Sequence, residues 1–193
     1  MRLPNKIGIA TAAGSGMGRA GALRFAAEGA SVAVVDLNAD AANDVVKDIQ
    51  KAGGKAIALS GDLTDDAFAR GIVRETTRAF GALDFVWNHV GHPGPAAIEG
   101  LEWKDYDLAL NLNVRTVLVT TEAALPELRA RGGGGGASGV PAGALLRACA
   151  APGLARHGAR VVLLDEKPVE AWSVRPTSSG ATAASPAPRA STP

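Results

Sequence analysis

The hydrophobic pattern changes period repeatedly between residues 6 and 131. Short apolar runs rich in valine, isoleucine and alanine alternate with longer segments in which apolar residues recur at helical spacing. Such runs are typical of strands buried on both faces of a sheet, and the segments between them are typical of helical crossovers. Strands joined by helical crossovers form a parallel sheet with helices on both faces. The pattern therefore predicts an α/β fold.

The bounds of each segment follow from the apolar runs, the helix caps and the terminal glycines. Strands are predicted at residues 6–11, 31–36, 56–60 and 83–88, and helices at 17–28, 39–51, 64–80 and 102–131. The last segment is either one long helix or two helices that meet near Leu112. Asn38 and Thr64 are predicted N-caps, because their side-chain oxygens can accept a hydrogen bond from a first-turn N–H group.

The composition changes sharply after Arg131. Five glycines follow, and residues 132–193 contain no Ile, Phe, Tyr, Asn, Gln or Met. Such a composition is unusual for a core-forming segment, and residues 175–193 lack the apolar area needed to offset their chain entropy. We therefore expect a folded domain at 1–131, an atypical Gly/Ala-rich segment at 132–174 and a disordered low-complexity tail at 175–193.

Two elements are predicted within the atypical segment, a helix at 142–157 and a strand at 159–165. The strand has a continuous apolar run with β-branched residues, which is typical of a buried parallel strand. We expect it to be the only part of the C-terminal third that joins the sheet, beside the strand at 83–88.

The turn after the first predicted strand carries the first sign of chemistry. It reads Thr11-Ala12-Ala13-Gly14-Ser15-Gly16-Met17-Gly18 and opens a predicted helix. Glycines let backbone N–H groups approach a pyrophosphate, and the N-terminus of the following helix favours the same anion. The alternative is a tight turn that binds nothing.

Asp36 favours the binding interpretation. It ends the second predicted strand twenty residues after Gly16, where a carboxylate can accept hydrogen bonds from the hydroxyl groups of an adenosine ribose. The same carboxylate would repel a 2′-phosphate, and neither Leu37 nor Asn38 supplies a compensating cation. The sequence thus predicts a Rossmann-type site for NAD rather than NADP. The alternative for Asp36 is a solvated carboxylate at a strand end.

At these positions the chain resembles the classical short-chain dehydrogenase/reductases. The family's Thr-Gly-x-x-x-Gly-x-Gly motif corresponds to residues 11–18, with Ala12 in the place of the first glycine. Asp62, in Gly-Asp-Leu-Thr, resembles the family's adenine-contacting aspartate, and its alternative role is that of a neighbour to the helix cap. The family's Asn-Asn-Ala-Gly appears as Asn-His-Val-Gly at residues 88–91. The register of the long helix places the family's active-site Asn at Asn113, with Asn111 as a competitor.

The resemblance implies that four turns at the carboxyl ends of the strands contact the cofactor. The implied cofactor-binding residues are Thr11, Gly14, Ser15, Gly16, Met17, Gly18, Asp36, Leu37, Asp62, Leu63, Asn88 and Gly91, and the implied catalytic residue is Asn113. It also implies a reaction class, hydride transfer between NAD and an alcohol or carbonyl carbon.

The family's acid–base pair is absent from this sequence. Its members use a tyrosine as general acid or base, a lysine four residues later that lowers the tyrosine pKa and holds the ribose, and a preceding serine that orients the carbonyl. Tyr106 is the only tyrosine, and Leu110 stands four residues after it. We interpret Tyr106 as a packing residue on a helix face, and Ser138, near the expected place of the serine, as a loop residue. These departures predict impaired turnover or a non-catalytic NAD-binding pseudoenzyme.

Three explanations of the segment after Arg131 stay open. A frame change or truncation in a GC-rich gene would replace the family's ending with unrelated sequence, and the missing amino acids are largely those with AT-rich codons. A natural non-catalytic protein would have a tail that evolved for another purpose. A second dinucleotide site is the third, because Gly134, Gly136 and Gly139 match Gly-x-Gly-x-x-Gly, although Asp165 follows unusually far away.

The charge balance argues against polyanionic partners. Twenty basic and nineteen acidic residues leave a net charge of +1, too little for general attraction to nucleic acid or anionic membrane. Cys149 is the only cysteine and permits no intrachain disulfide, and no N-terminal apolar run is long enough for a signal peptide or a membrane span. We therefore expect a cytoplasmic protein whose partners are a dinucleotide, a small alcohol or carbonyl substrate and further copies of itself.

Overall fold

The structure of the chain is a computed structural model that describes residues 1–95, 97 and 99–131 in full. Beyond them it describes the backbone of residues 134–138, 160–164, 172–175 and 183–186. In chain order the elements are β1 (Ile7–Thr11), α1 (Gly16–Ala27), β2 (Ser31–Asp36), α2 (Ala39–Lys51), β3 (Lys55–Ser60), α3 (Asp66–Phe80), β4 (Phe85–Asn88), α4 (Trp103–Leu110), a π-helical turn (Asn111–Arg115), α5 (Thr116–Arg131), β5 (Gly134–Ser138), β6 (Arg160–Leu164), β7 (Trp172–Arg175) and β8 (Ala183–Pro186).

Six strands form one parallel sheet in the order β3-β2-β1-β4-β5-β6. The chain moves outward from β1 to β3, returns through α3 to the other side of β1, and then moves outward again from β4 to β6. Adjacent connections leave the sheet in opposite directions at β1 and β4, and in open α/β sheets ligands bind at the carboxyl ends of strands at such a reversal. The predicted Rossmann-type α/β fold is confirmed.

Each face of the sheet is covered by a separate apolar cluster. Successive residues of a strand point to opposite faces, so Val34 packs into a cluster that includes Val45 and Ile49 of α2, while Val35 packs into one that includes Ile72 of α3 and Leu128 of α5. All six side chains are at most 1% exposed. Burial on both faces explains why the strands read as continuous apolar runs rather than as an alternating pattern.

Most predicted bounds agree with the structure to within two residues, and one predicted cap is wrong. Asn38 caps α2, accepting a hydrogen bond from the Ala41 N–H group at 3.0 Å. Thr64 does not cap α3, because Asp65 has that position and accepts from the Ala67 N–H group. Aspartate is at least as good a cap as threonine, and the two adjacent candidates could not be separated by pattern alone.

The segment predicted at 102–131 is helical from Trp103 to Arg131, with a local change of hydrogen-bonding pattern. The π-helical turn Asn111–Arg115 separates α4 from α5 and includes Leu112, where the sequence predicts a junction. Pro126 lies within α5 without ending it. Single π turns are rare inside helices and often lie at functional sites.

The prediction for the sheet beyond β4 is wrong in its strand order. The strand expected at 159–165 exists as β6, but it pairs with β5, and β5 occupies the place beside β4. The error has a physical cause, since β5 begins with three glycines, which contribute no side-chain packing and have low strand propensity. Ser138, interpreted as a loop residue, is the last residue of β5.

Beyond β6 the structure describes only a small antiparallel pair. β8 pairs with β7, Trp172 lying opposite Pro186. The structure differs here from the prediction of a disordered tail, because residues 183–186 are paired. The predicted helix at 142–157 lies outside the described residues, and the domain bounds at 131 and 174 stay predictions.

Candidate dinucleotide site

The turn between β1 and α1 brings two backbone segments into direct contact. A Cβ atom built on Gly18 would lie 1.8 Å from the Ala12 carbonyl oxygen, so only glycine fits at this position. Gly16 has φ +51° with open space around its Cα, and Ala12 also has a positive φ of 49°. The family's first glycine would adopt that conformation without cost, whereas alanine there is strained by about 1–2 kcal/mol. The glycine turn is thus formed despite the Ala12 replacement.

The N-terminus of α1 is open to solvent beside this turn. Ser15 is the N-cap, with an extended backbone and no side-chain hydrogen bond to the helix, and Ser15, Gly16 and Met17 are all exposed. First-turn N–H groups have no acceptor within their own helix. Together with the partial positive charge of the helix end, they form a site that fits a phosphate.

Asp36 lies directly against the glycine turn. Its Oδ2 accepts a hydrogen bond from the Gly14 N–H group at 2.8 Å, and its Oδ1 accepts one from the Asn38 N–H group at 3.0 Å. A Cβ atom on Gly14 would lie 2.9 Å from the Asp36 carboxyl carbon. Each carboxylate oxygen can accept a further hydrogen bond, so Asp36 can hold the turn and still bind a ribose hydroxyl. Leu37, at the same strand end, is 74% exposed.

The turn after β3 contains Asp62 and Leu63, and the structure supports their predicted contacts with the cofactor less directly than those of Asp36. The Asp62 Oδ1 accepts from the Thr64 N–H group at 2.8 Å, an interaction that stabilises the turn before α3 and matches the alternative role considered for this aspartate. Asp62 is an exposed residue. Leu63 is 7% exposed and packs in the core cluster under α3, which leaves its backbone as the part able to contact a ligand.

Asn88 joins the end of β4 to α5. Its Oδ1 accepts from the Thr120 hydroxyl at 2.8 Å, and its Nδ2 donates to the Thr121 hydroxyl at 3.3 Å. The side chain is 2% exposed and both ends of the amide are occupied. Asn88 therefore steadies the central sheet against α5. The two threonines that complete this network were not predicted, because their polar pairing does not change the helical pattern of α5.

Thr11 connects β1 to the loop after β4. Its hydroxyl oxygen accepts from the backbone N–H groups of His89 at 2.9 Å and Val90 at 3.1 Å, and the residue is fully buried. Sequence reasoning placed Thr11 among the cofactor contacts. In the structure its side chain fixes the two strand ends between which the sheet order reverses.

Asn113 fixes the same loop from the other side. Its Nδ2 donates to the His92 carbonyl at 2.6 Å, and its Oδ1 accepts from the His92 N–H group at 3.1 Å. A Cβ atom on Gly91 would lie 2.7 Å from the Asn113 Oδ1, so glycine is needed for this approach. The Asn111 Oδ1, two residues earlier in the π turn, is buried without a hydrogen-bond partner among the described residues.

An imidazole faces the α1 side of the sheet at the end of β4. The His89 ring stacks on Trp87 with ring centroids 4.7 Å apart and an interplanar angle of 17°. Trp87 lies beneath α1, because a Cβ atom on Gly21 would come within 2.1 Å of its ring. Burial lowers the pKa of the His89 imidazole below its ordinary value, which favours the neutral form.

The family's proton-transfer group has no equivalent in the fully described part of the chain. Tyr106 lies on α4, is 40% exposed and contacts Trp103 edge to face at 5.8 Å. Tyr106 therefore packs against Trp103 at the protein surface and does not contribute to the core. Among the described residues no group of three or more His, Cys, Asp or Glu side chains could hold a metal ion. Within the same residues, no helix combines the length and hydrophobicity needed to cross a membrane.

A parallel sheet that reverses at β1 and β4, with a glycine turn and a strand-end carboxylate at the reversal, defines a dinucleotide-binding protein of the Rossmann class. A model of the short chain dehydrogenase family matches residues 6–136. The chain belongs to this family, as its sequence predicts.

Named relatives give the same assignment. The chain is 37% identical over 134 residues to 7α-hydroxysteroid dehydrogenase of Escherichia coli K12, covering 69% of this chain and 52% of that protein. The crystal structure of hydroxysteroid dehydrogenase from Escherichia coli has a TM-score of 0.75 and 32% identity, covering 83% of this chain and 74% of that one. A 7α-hydroxysteroid dehydrogenase complexed with NADH and 7-oxo glycochenodeoxycholic acid has a TM-score of 0.72 and 30% identity, covering 85% of this chain and 70% of that one. The chain spans about half the length of the curated relatives it matches.

Proposed function

We propose that the chain binds NAD across β2, β1 and β4 in the manner of a short-chain dehydrogenase/reductase. The observation that carries the proposal is the contact between Asp36 and Gly14, which places a hydroxyl-binding carboxylate against a phosphate-binding turn. The relative of similar fold solved with NADH supports the same cofactor. When bound, this cofactor supplies hydride chemistry, and the residues on these strands bind and orient it.

The charges beside the turn favour NAD over NADP. A cleft of about 470 Å³ between α1 and α2 reaches Gly14 and contains several cations. Arg19 pairs with Asp48 at 2.8 Å and Lys47 pairs with Asp44 at 2.9 Å. Lys51, the third cation of the cleft, ends α2 about 15 Å along the helix from Ala41, the residue that adjoins Gly14. A 2′-phosphate near Asp36 would therefore meet a carboxylate without a free compensating charge from either pair.

Titration calorimetry on the full chain tests the cofactor proposal. We expect NAD to bind more tightly than NADP, and Asp36→Ala to narrow that preference by about 5- to 150-fold, as for the loss of a charged hydrogen-bonding group worth about 1–3 kcal/mol. Asp40→Ala, an exposed acid in the first turn of α2, is the matched control and should leave the preference unchanged. Equal or tighter binding of NADP by the unmodified chain would contradict the proposal.

We also propose that turnover is impaired. Hydride transfer to or from a carbonyl carbon needs proton movement at the substrate oxygen, and a positioned acid–base group contributes about 100- to 10,000-fold. Tyr106 lies on α4 with Leu110 four residues later, so no lysine follows it at the family's spacing. Asn88 and Asn113 are engaged with Thr120 and His92 and act as positioning residues. The alternative is a non-catalytic NAD-binding pseudoenzyme or a frame-changed fragment, which would have no turnover at all.

A panel of secondary alcohols, ketones and sugars, followed at the nicotinamide absorbance, tests impairment. We expect rates well below those usual for enzymes, whose median turnover is about 10 per second. Turnover near one per second that is lost on changing Tyr106 would show that a tyrosine acts without the family's lysine, and would contradict the proposal.

The proposal extends to partners and location. We infer a small alcohol or carbonyl substrate, a cytoplasmic location and self-association, the last supported by Trp103 and Leu118, which are 68% and 44% exposed. Exposed apolar residues of this size favour association. Light scattering of the purified chain measures the oligomeric state, and a monomer at all concentrations would exclude self-association.

A further inference from the structure

The loop after β4 contains a short sequence that the proposed dinucleotide site does not use. Residues 92–95 read His-Pro-Gly-Pro and follow directly after Gly91. Proline fixes its own φ, and Gly94 has a φ of 76°, a conformation that favours glycine. A Cβ atom on Gly94 would lie 3.3 Å from the Ala109 Cβ atom, so this turn packs closely against α4. The backbone that follows His92 is therefore restricted.

The His92 backbone is held at both of its hydrogen-bonding groups. Its N–H group donates to the Asn113 Oδ1 at 3.1 Å, and its carbonyl accepts from the Asn113 Nδ2 at 2.6 Å. Asn113 stands where the resemblance to the family implies the active-site asparagine. The same loop is tied to the end of β1 through the Thr11 hydroxyl. His92 is thus fixed beside the reversal of the sheet order, where open α/β sheets bind their ligands.

The His92 imidazole is held in one tautomer. The Gly94 N–H group donates to the His92 Nδ1 at 3.1 Å, so Nδ1 has a lone pair and the proton of the neutral ring lies on Nε2. Within the part of the chain described in full, the His92 Nε2 has no hydrogen-bond partner, and the enclosed side-chain atom that lacks one belongs to Asn111 instead. His92 therefore carries an accessible N–H donor that the fold does not use.

We propose that the His92 Nε2–H group donates a hydrogen bond to the carbonyl oxygen of the substrate. This inference rests on the proposed function, in which NAD crosses β2, β1 and β4, because the nicotinamide end then lies beside the loop that contains His92. A neutral imidazole can polarise a carbonyl group by such a bond. The family's members orient this oxygen with a serine, so His92 adds a donor that the family's motifs do not specify.

The same geometry limits what His92 does. Because Nδ1 is occupied by the Gly94 N–H group, the ring offers the substrate oxygen a donor and no basic nitrogen. His92 thus binds and orients a ketone or aldehyde without supplying the proton transfer that rapid turnover needs. Substrate binding and impaired turnover are compatible in this site.

Two variants separate the Nε2–H donor from the loop contact at Nδ1. In His92→Asn the side-chain oxygen can still accept from the N–H group two residues later, as in an Asx turn, but no donor reaches the position of Nε2. In His92→Gln an amide N–H group reaches toward the position of Nε2, while the contact with Gly94 is lost. A donor role predicts that His92→Asn loses substrate binding and that His92→Gln keeps it, and a role in loop shape predicts the opposite.

The probe is cyclohexanone, added to the full chain saturated with NAD. The ketone and the cofactor are both oxidised, so no hydride transfer occurs, and saturation-transfer NMR measures binding alone. Methylenecyclohexane, which has a methylene group in the place of the oxygen, is the matched ligand. We expect His92→Asn to weaken cyclohexanone by about two- to tenfold, as for one hydrogen bond, and to leave methylenecyclohexane unchanged. We expect His92→Gln to bind cyclohexanone within about twofold of the unmodified chain.

The outcomes distinguish this inference from the NAD proposal. Equal weakening of the two ligands by His92→Asn, or weakening by His92→Gln alone, would show that His92 only shapes the loop and would overturn the inference while NAD binding stands. No binding of cyclohexanone to the NAD-bound chain would overturn it as well. If the unmodified chain binds no NAD, both proposals fail. Nitrogen NMR of the chain without ligands gives a further test, because a proton on the His92 Nδ1 would overturn this inference alone, and a proton on Nε2 supports it.

Discussion

The two halves of the carboxyl edge of the sheet are built differently. In the β1–α1–β2 half, the turn and the strand-end carboxylate contact each other through Asp36 and Gly14, and every residue implied by the family motif except Ala12 is retained. In the β4–β5 half, Asn88 and Gly91 keep the family's positions, but histidine and valine stand between them. The β1–α1–β2 half therefore keeps the family's sequence pattern, and the β4–β5 half departs from it.

Under the proposed function, binding and turnover depend on different halves of one sheet edge. The adenosine and diphosphate groups need only backbone N–H groups and one carboxylate, and β1 to β2 supply them. Turnover needs a proton-transfer group on the other side of β1, where the described side chains are occupied in holding the loop. The two halves are joined at β1, by the Thr11 hydroxyl at one edge and by Asp84 at the other.

The largest expected effect is a loss of NAD affinity, caused by a substitution that disrupts only the β1–α1–β2 half of the edge. In Gly18→Ala the new methyl group would lie 1.8 Å from the Ala12 carbonyl oxygen, so the turn must move. We expect NAD affinity to fall by about 5- to 150-fold, since overpacking costs about 1–3 kcal/mol. Gly71→Ala is the matched control, because its methyl group would meet only the Arg74 side chain at 3.5 Å. It should leave NAD affinity unchanged and raise helix stability by about 0.5–1 kcal/mol. Similar NAD affinities for the two variants in calorimetry would contradict this account of the turn.

A smaller effect, on the free energy of unfolding, is expected at Asp84, whose carboxylate links the start of β4 to the start of β1. The Asp84 carboxylate is 2% exposed and accepts from Lys6 at 2.9 Å, Arg131 at 3.3 Å and the Ile7 N–H group at 3.0 Å. We expect Asp84→Asn to lower the free energy of unfolding by about 1–2 kcal/mol, less than for a fully buried pair, because both cations are partly exposed. Urea unfolding measures this loss. Asp44→Asn, in an exposed pair with Lys47, is the control, and an equal loss in both variants would exclude a special role for Asp84.

The same carboxylate predicts a pH dependence. Burial alone would raise the pKa of Asp84, but the hydrogen bonds from Lys6, Arg131 and Ile7 outweigh it and hold the pKa below its ordinary value. A carboxylate with a lowered pKa in the folded state stabilises the fold above its unfolded-state pKa, and that contribution is lost as the pH falls through the folded-state pKa. Urea midpoints should therefore fall at acid pH, and fall less steeply in Asp84→Asn. Parallel pH curves for the two proteins would contradict the assignment.

The smallest expected effect is an increase in stability. Ala12 has a φ of 49° in the position of the family's first glycine. Ala12→Gly removes a strain of about 1–2 kcal/mol but adds chain entropy to the unfolded state, so we expect a net stabilisation of about 0.5–1 kcal/mol. Thermal unfolding measures it. Ala13→Gly, at a fully buried neighbour without positive φ, should destabilise the protein, and stabilisation by both substitutions would show that backbone strain is not the cause.

The sequence predicted those parts of the fold that depend on side-chain pattern. β2 and α2 have the predicted bounds, and Asp36 and Gly14 meet, because apolar periodicity, Asn38 capping and strand-end position are local signals. β5 was missed, because its glycines carry no side-chain signal and its pairing depends on backbone hydrogen bonds to β4. The contact of Asn113 with His92 was also out of reach, since it joins a loop and a π turn that no local pattern connects.

Amide hydrogen exchange of the full chain with and without NAD tests the central claim most directly. The glycine turn and the β4 end should bind the cofactor, while the exposed face of α2 should not. We predict slower exchange on NAD binding at residues 13–18 and 86–91 and no change at residues 44–51. Protection confined to residues 132–193 would instead locate the dinucleotide at the second glycine-rich segment. That result, or NAD binding with no protection at residues 13–18, would contradict the account.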